Sequence, residues 1–150
     1  MTSRPPVTTT PGYLLYKSGV LAQNGMDAAL GAVDLSPRQF LVLAFVALEE
    51  LSQQDVARRL GIDPTIVGTI VDELDARGLV DRSRDPADRR RYVLVLTAQG
   101  RRLLDKAEQR TTVAQDELLA PLDPAERAVL AELLRRVVQP RLPWLGDDDA

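Results

Sequence analysis

Arginines between positions 77 and 102 form the densest concentration of one charge in the chain. Eight arginines and only three aspartates give this segment a charge of +5, which leaves −8 for the remainder of a chain whose total is −3. The eight are Arg77, Arg82, Arg84, Arg89, Arg90, Arg91, Arg101 and Arg102. A local basic patch on an otherwise acidic protein attracts a polyanion to one face. This chemistry indicates nucleic-acid binding.

The centre of the segment predicts a β-hairpin with three adjacent arginines at its tip. Residues 79–84 and the β-prone run Tyr92–Leu96 flank a turn that contains Pro86. Adjacent arginines on an exposed tip repel one another unless other charges compensate them. A polyanion would do so, and so would internal ion pairs with Asp85 and Asp88. Both interpretations are open from these residues, and we favour the polyanion.

Composition excludes most catalytic and metal chemistry. The chain of 150 residues contains neither cysteine nor histidine, which removes disulfides, thiolate nucleophiles and imidazole-based catalysis or metal binding. Its only lysines are Lys17 and Lys106, and no pair of carboxylates converges in the sequence. We therefore predict a protein that is not an enzyme and that holds no metal and no cofactor.

Hydropathy gives no sign of a membrane span or a secretory signal. The longest apolar run, Phe40–Leu48, has nine residues, whereas a span needs roughly 20. The first twelve residues are rich in Thr and Pro and have no apolar signal core. We expect a cytoplasmic protein with a disordered arm at residues 1–12 and an acidic tail at 141–150.

Capping signals divide the rest into helices around the hairpin. A first helix is predicted over 13–33, a second from Ser36-Pro37 to about 50, a third over 53–60, and a fourth from Asp63-Pro64 to Gly78. Two more helices follow the hairpin, starting at Thr97 and at Asp123-Pro124. The fourth helix has a predicted apolar stripe of Ile66, Val67, Ile70, Val71 and Leu74.

The order of these elements predicts a mainly α fold with a small β-wing. It is a winged helix-turn-helix with a helical dimerisation region: the DNA-binding lobe covers about 36–96, and the dimerisation helices about 13–33 and 97–140. Trp144 is expected either on a dimer partner or in a loose tail.

In this arrangement the fourth helix would enter the major groove of DNA and offer its N-terminal residues to the bases. Pro64 and Thr65 are candidates for thymine methyl contacts, Gly68 allows close approach, and Thr69 has a hydroxyl for a base or phosphate. The hairpin would lie along the backbone and place an arginine in the adjacent minor groove.

These segments resemble the MarR family of bacterial transcriptional regulators. Leu35–Phe40 is similar to the opening of the family's second helix, Leu51–Gly61 to the first helix of its helix-turn-helix, and Asp72–Val80 to the end of its recognition helix. Asp88–Arg90, followed by Leu96-Thr97, fits the wing signature D-x-R-x5-L-T. The resemblance is collinear from about residue 13 to residue 138.

The resemblance implies roles for individual residues. Arg90 matches the arginine that reaches the minor groove, Asp88 the acid that orients it, and Arg89 a phosphate contact. Pro64, Thr65, Gly68 and Thr69 would face bases. Residues near helix N-termini would hold phosphates: Ser36, Arg38, Ser52 and Gln53. The first, fifth and sixth helices would form the interface of a homodimer.

The chain departs from the family on the recognition helix. Many relatives have arginine at the positions of Thr69 and Glu73, and neither residue is basic here. We therefore predict that the recognition helix adds little phosphate attraction, that Glu73 repels the DNA backbone if it faces it, and that the affinity depends more on the wing.

An effector site is also implied, in the cleft between the dimerisation helices and the DNA-binding lobe. Tyr13, Tyr16 and Lys17 are the candidate lining residues, with Arg38 nearby. An ammonium beside phenol rings suits a small aromatic anion. The alternative is that both tyrosines are packing residues and that Lys17 is solvated.

The function expected is that of a repressor on double-stranded DNA with a pseudopalindromic operator, released by a small-molecule effector. The alternative is a winged-helix module that binds another protein and has no sequence-specific DNA binding. The weakly charged recognition helix leaves that alternative open.

Overall fold

A computed structural model describes residues 6–142, which form six α-helices and one two-stranded sheet. After a 3-10 turn at Val7–Thr9, the order is α1 (Pro11–Gly31), α2 (Pro37–Leu48), α3 (Gln53–Leu60), α4 (Pro64–Ala76), β1 (Val80–Arg84), β2 (Tyr92–Leu96), α5 (Ala98–Leu118) and α6 (Pro124–Val138). The predicted fold class is confirmed. Trp144 and most of the predicted acidic tail lie outside the described residues.

Side-chain caps set the helix boundaries where the sequence placed them. The hydroxyl of Ser36 accepts the N–H of Gln39 at 3.2 Å, and the Gln39 side chain accepts the N–H of Ser36 at 3.0 Å. The same reciprocal arrangement joins Asp123 to Glu126 at the start of α6. Each cap satisfies backbone donors that have no partner inside the helix.

The beginning of the chain differs from the prediction. Disorder was predicted through residue 12, but residues 7–9 form the 3-10 turn and α1 starts at Pro11. The Thr10 side chain accepts the N–H of Tyr13 at 3.4 Å, and a proline fits the first helical position. The same cap-then-proline signal as at Ser36-Pro37 was present here, hidden among neighbouring threonines and prolines.

One core joins the helix-turn-helix to the base of the wing. Its fully buried side chains include at least one from each of α1 to α5 and from β1: Leu30, Leu43, Val56, Val67, Leu74, Val80 and Leu104. The strands pair antiparallel, with Val80 opposite Leu96 and Arg84 opposite Tyr92. The N–H of Leu94 donates to the carbonyl of Leu51 at 2.8 Å, which ties the wing to the segment before α3.

The root of the wing is a close contact between two backbones. Gly100, in the first turn of α5, lies so near the carbonyl oxygen of Leu79 that an added β-carbon would overlap it. The N–H of Thr97 donates to the same carbonyl at 3.1 Å. The start of α5 is therefore seated directly on the residue that precedes β1.

The predicted apolar stripe of α4 is wrong at one residue, Ile66. Val67, Ile70, Val71 and Leu74 are at most 7% exposed, whereas Ile66 is 42% exposed. It lies at the edge of the stripe, one residue before Val67, and the core does not reach around the helix to cover it.

Among the described residues, no helix is both long and apolar enough to cross a membrane.

Candidate DNA interface

The first two turns of α4 present an uncharged surface. Asp63 caps the helix by accepting the N–H of Thr65 at 2.7 Å. Hydrogen bonds from the Thr65 backbone and side chain hold the pKa of Asp63 below its ordinary value. Pro64, Thr65 and Thr69 are all exposed, and the Thr69 hydroxyl donates to the Thr65 carbonyl at 3.3 Å. Three of the four residues predicted to face bases are thus available at the surface.

Gly68 lies against a side chain of α3. A β-carbon at Gly68 would lie 2.9 Å from Nε2 of Gln53, and that nitrogen donates to the Pro64 carbonyl at 3.3 Å. The glycine therefore gives room to a side chain of α3. Gln53 links the two helices of the motif through this hydrogen bond.

The acidic residues of α4 are held by neighbouring elements. Arg82 on β1 forms ion pairs with Asp72 and, at 2.8 Å, with Asp75. Glu73 accepts a hydrogen bond from the Gln39 side chain at 2.9 Å. Since α4 contains no lysine or arginine, its exposed face carries no positive charge of its own.

The tip of the wing has the opposite character. Arg89 and Arg90 are exposed, and neither forms an ion pair with any residue of the described range 6–142. Asp85 accepts the N–H of Ala87 at 2.8 Å, and Asp88 accepts the N–H of Arg90 at 3.0 Å. Both acids shape the turn through backbone bonds and leave the guanidinium groups unneutralised. The interpretation as a loop of internal ion pairs does not fit this tip.

Asp88 thus holds the backbone N–H of Arg90 and leaves its guanidinium free. The backbone carbonyl of Asp88 also accepts the N–H of Arg91 at 2.9 Å, while Arg84 donates to the carbonyl of Arg89 at 2.6 Å. The Arg84 guanidinium stacks 4.9 Å from the ring centre of Tyr92. These contacts fix the backbone that carries Arg89 and Arg90.

Arg91 has a separate role that the sequence did not reveal. Its Nη2 lies 3.2 Å from Oδ2 of Asp55 and 3.4 Å from Oγ of Ser52. It therefore connects the wing to the N-terminus of α3. The signal available in the sequence was only the pairing of Ser52 with an acid three residues later.

Asp55 lies at the N-terminus of α3, where Ser52 and Gln53 were predicted to hold a phosphate, and its carboxylate accepts the N–H of Ser52 at 3.0 Å. The pKa of Asp55 is below its ordinary value. Burial alone would raise it, but hydrogen bonds from the Ser52 hydroxyl and backbone and the charges of Arg58 and Arg91 together lower it by more. The Ser52 hydroxyl is bonded to this carboxylate at 2.5 Å. At the start of α2, Ser36 is engaged with Gln39, and Arg38 beside it is exposed.

The predicted effector residues lie apart from the cavity between α1, α2 and α5. Tyr13 is half-buried with Nζ of Lys17 6.0 Å from its ring centre, and Tyr16 is exposed. The cavity has a volume of about 310 Å³. Its lining consists of Leu21, Ala22, Gly25, Met26, Phe40, Thr111, Ala114, Gln115 and Leu118. None of Tyr13, Tyr16, Lys17 and Arg38 is among these residues.

Comparisons with known proteins agree on one class of protein, the transcriptional regulators. A sequence profile of the MarR family matches residues 33–91. The HTH-type transcriptional repressor NicR of Pseudomonas putida is 30% identical over 140 residues, which cover 88% of this chain and 84% of NicR.

Solved structures extend the likeness to nearly the whole fold. CouR from Rhodococcus jostii, bound to p-coumaroyl-CoA, is 29% identical with a TM-score of 0.83 over 91% of this chain and 97% of that one. CouR bound to a 23-mer DNA duplex is 28% identical with a TM-score of 0.79, over 91% and 99%. BpsR from Bordetella bronchiseptica, whose DNA binding is regulated by 6-hydroxynicotinic acid, is 28% identical with a TM-score of 0.76, over 90% and 97%.

The fold, the basic wing tip and the uncharged surface at the start of α4 together define a winged helix-turn-helix transcriptional regulator. The chain belongs to the MarR family.

Proposed function

We propose that the protein is a homodimeric repressor that binds a pseudopalindromic operator and leaves it when a small molecule binds. The observation that carries this proposal is the pair of unneutralised arginines, Arg89 and Arg90, on a wing next to a helix-turn-helix. Two exposed cations on one rigid turn repel each other, and phosphates of the DNA backbone relieve that repulsion. As in the family, the action is regulatory rather than enzymatic, and it takes place on DNA in the cytoplasm.

The unpaired apolar faces support a homodimer built on α1, α5 and α6. No residue of α6 is buried, yet Val129, Leu133, Leu134 and Val137 are 37–59% exposed. Leu14, Leu15 and Leu21 on α1 are also 43–57% exposed. A helix that repeats apolar residues at this spacing needs a partner for them, and a second copy of the chain supplies the same helices.

A dimer fixes the geometry of the operator. Two recognition helices related by twofold symmetry read half-sites about one helical turn apart. The test is fluorescence anisotropy with DNA from beside the protein's own coding sequence, compared with a scrambled duplex of equal length over a range of salt concentrations. We expect preferential binding of the first duplex, with two protected half-sites in a footprint. Equal affinity for both duplexes would favour the protein-interaction module instead.

The dimer has its own test. Leu133→Glu should give monomers in sedimentation velocity and abolish operator binding, because it places a charge in the α6 interface. Leu48→Glu is the matched control, since Leu48 is 77% exposed at the end of α2 and outside the proposed interface. A dimeric Leu133→Glu protein with unchanged operator affinity would rule out this interface.

The effector is proposed to be a small aromatic acid or its thioester. The relatives CouR and BpsR have ligands of this kind, and the cavity between α1, α2 and α5 combines apolar walls with the polar side chains of Thr111 and Gln115. Its volume is at the lower end of small-molecule sites, so a single-ring group fits it.

Thermal melting with a panel of aromatic acids tests this site, because a ligand that binds only the folded state raises the melting temperature. Ala114→Leu, which fills the cavity, should abolish the shift. Tyr16→Ala tests the site first predicted on α1 and should leave the shift unchanged. If Tyr16→Ala abolishes it and Ala114→Leu does not, the effector binds at the tyrosines.

A further inference from the structure

Ile66 is a large apolar side chain that the core of the protein covers only in part. It is 42% exposed in the first turn of α4. Thr69 lies three residues after Ile66 and four after Thr65, and both threonines are exposed. Residues three or four apart are neighbours on a helix surface, so Thr69 adjoins both of the others. The three side chains form a neutral patch at the end of the recognition helix that is placed to approach base edges.

Few hydrogen-bonding groups are left free on this patch. The Thr69 hydroxyl is already bonded to the Thr65 carbonyl at 3.3 Å. Farther along the helix, Asp72 is paired with Arg82, and Glu73 with Gln39. Asp72 and Glu73, the type of side chain that can accept from cytosine, are therefore engaged with the protein, and Ile66 is the large apolar side chain exposed beside Pro64 and Thr65.

The major groove of DNA offers one apolar group to such a side chain. Guanine, cytosine and adenine present only acceptors and donors at their major-groove edges, whereas thymine also presents its C5-methyl group. A G·C pair opposite Ile66 would lose hydration at its polar edge and gain no hydrogen bond, which costs free energy. A thymine methyl instead buries apolar surface against the side chain.

We propose that Ile66 is a specificity-determining residue that contacts the C5-methyl of a thymine in each half-site. This inference rests on the proposed function, since it requires an operator. It adds to Pro64 and Thr65, the residues that the sequence indicated for such contacts, a larger apolar side chain that the helical pattern had assigned to the core.

The test is a scan in which each thymine of the operator is replaced in turn by deoxyuridine, which removes only the methyl group. We expect the parent protein to lose about three- to tenfold in affinity at one thymine per half-site, the value for one buried methyl contact. Ile66→Ala should bind the unmodified operator more weakly by a similar factor and should no longer respond to deoxyuridine at that position.

Two controls keep the result interpretable. Ile66→Val retains a branched apolar side chain and should keep a reduced response, while Leu48→Ala removes an exposed apolar side chain from the last residue of α2 and should match the parent at every position. Circular dichroism melts of each variant establish that it is folded.

Identical deoxyuridine profiles for the parent and Ile66→Ala would overturn the assignment of Ile66, even if the operator is bound specifically. If the parent shows no preference for any operator over scrambled DNA, the proposed function itself fails and the Ile66 assignment fails with it. The first outcome leaves the repressor intact, so the two failures are distinguishable.

Discussion

The wing tip and the recognition helix carry opposite electrostatic characters. At the tip, Arg89 and Arg90 have no acidic partner among residues 6–142, and the two nearest acids are used by the backbone. On α4 there is no cation, and the acids Asp72 and Glu73 are held by Arg82 and Gln39. Phosphates are the same at every sequence, whereas base edges differ. We therefore propose that the wing supplies attraction for any DNA and that the recognition helix supplies selection among sequences.

The largest expected effect concerns the root of the wing rather than its charge. Gly100→Ala forces a β-carbon into the Leu79 carbonyl, which is backbone and has no freedom to move aside. We expect a loss of about 3 kcal/mol in the free energy of unfolding, as in overpacked cores, measured by urea denaturation.

Gly68→Ala on α4 is the matched control for this loss. There the nearest atom is the end of the flexible Gln53 side chain, 2.9 Å away, and alanine favours a helix over glycine by about 1 kcal/mol. A stability near that of the parent is expected. If the two alanine variants are equally unstable, the wing root is no more rigid than the contact between α3 and α4.

Removing charge from the wing tip should have the next largest effect, and that effect is on DNA affinity. Arg90→Ala should weaken operator binding by about 1–3 kcal/mol, and Arg89→Ala should lower the slope of log K against log salt by about 0.9 for one lost phosphate contact. Unchanged affinity and slope for both tip variants would contradict the role of the wing.

Adding charge to the recognition helix tests the comparison from the other side. Thr69→Arg should raise affinity for operator and scrambled DNA alike and steepen the salt slope by about 0.9. The ratio of the two affinities should fall, because the added attraction is independent of sequence. A gain confined to the operator would show that position 69 reads a base. Thr69→Gln, which is long and uncharged, controls for side-chain length.

Arg91 should give the smallest effect on DNA, because it holds the wing and is occupied by Asp55. Arg91→Ala is expected to weaken operator binding by about threefold or less, consistent with an exposed ion pair of up to 1 kcal/mol. Unlike Arg89→Ala, it should leave the salt slope unchanged. A change in slope would mean that Arg91 contacts a phosphate directly.

Asp55, held mainly by the Ser52 hydroxyl and backbone and also by Arg58 and Arg91, gives a pH dependence. The pKa of Asp55 is lower in the folded chain than in an unfolded one, so its carboxylate stabilises the fold above about pH 4. This contribution disappears as the pH falls through the lowered pKa. Asp55→Asn should therefore reduce the loss of stability between about pH 5 and pH 2, measured by denaturant titrations at each pH.

Local chemistry made most of the fold predictable. Ser36, Thr97 and Asp123 are caps that act within three residues, and the strand bounds at Tyr92–Leu96 follow from a β-prone run between turns. Such signals are complete within a short window of sequence. The start of α1 at Pro11 was missed only because its cap lies in a stretch whose composition is typical of disorder.

Contacts between distant segments were not predictable in the same way. Periodicity placed Ile66 in the core, but whether a residue at the edge of a stripe is covered depends on the neighbouring elements. The Arg91–Asp55 pair joins residues 36 positions apart, and Gly68 accommodates Gln53 from another helix. The cavity lining likewise comes from three helices, and no spacing in the sequence brings Phe40 and Gln115 together.

The junction between β2 and α5 has a mechanical consequence. Thr97 alone separates Leu96 from Ala98, and its hydroxyl donates to the Gly78 carbonyl at 2.7 Å. There is no slack loop between the wing and a helix of 21 residues, about 32 Å long at 1.5 Å per residue. We therefore expect the wing and α5 to rotate together about the wing root, with α5 extending much farther from it than the wing does. A displacement of about 3 Å at the Leu118 end corresponds to a tilt of about 5°, and that tilt is delivered to the wing root without a joint to absorb it.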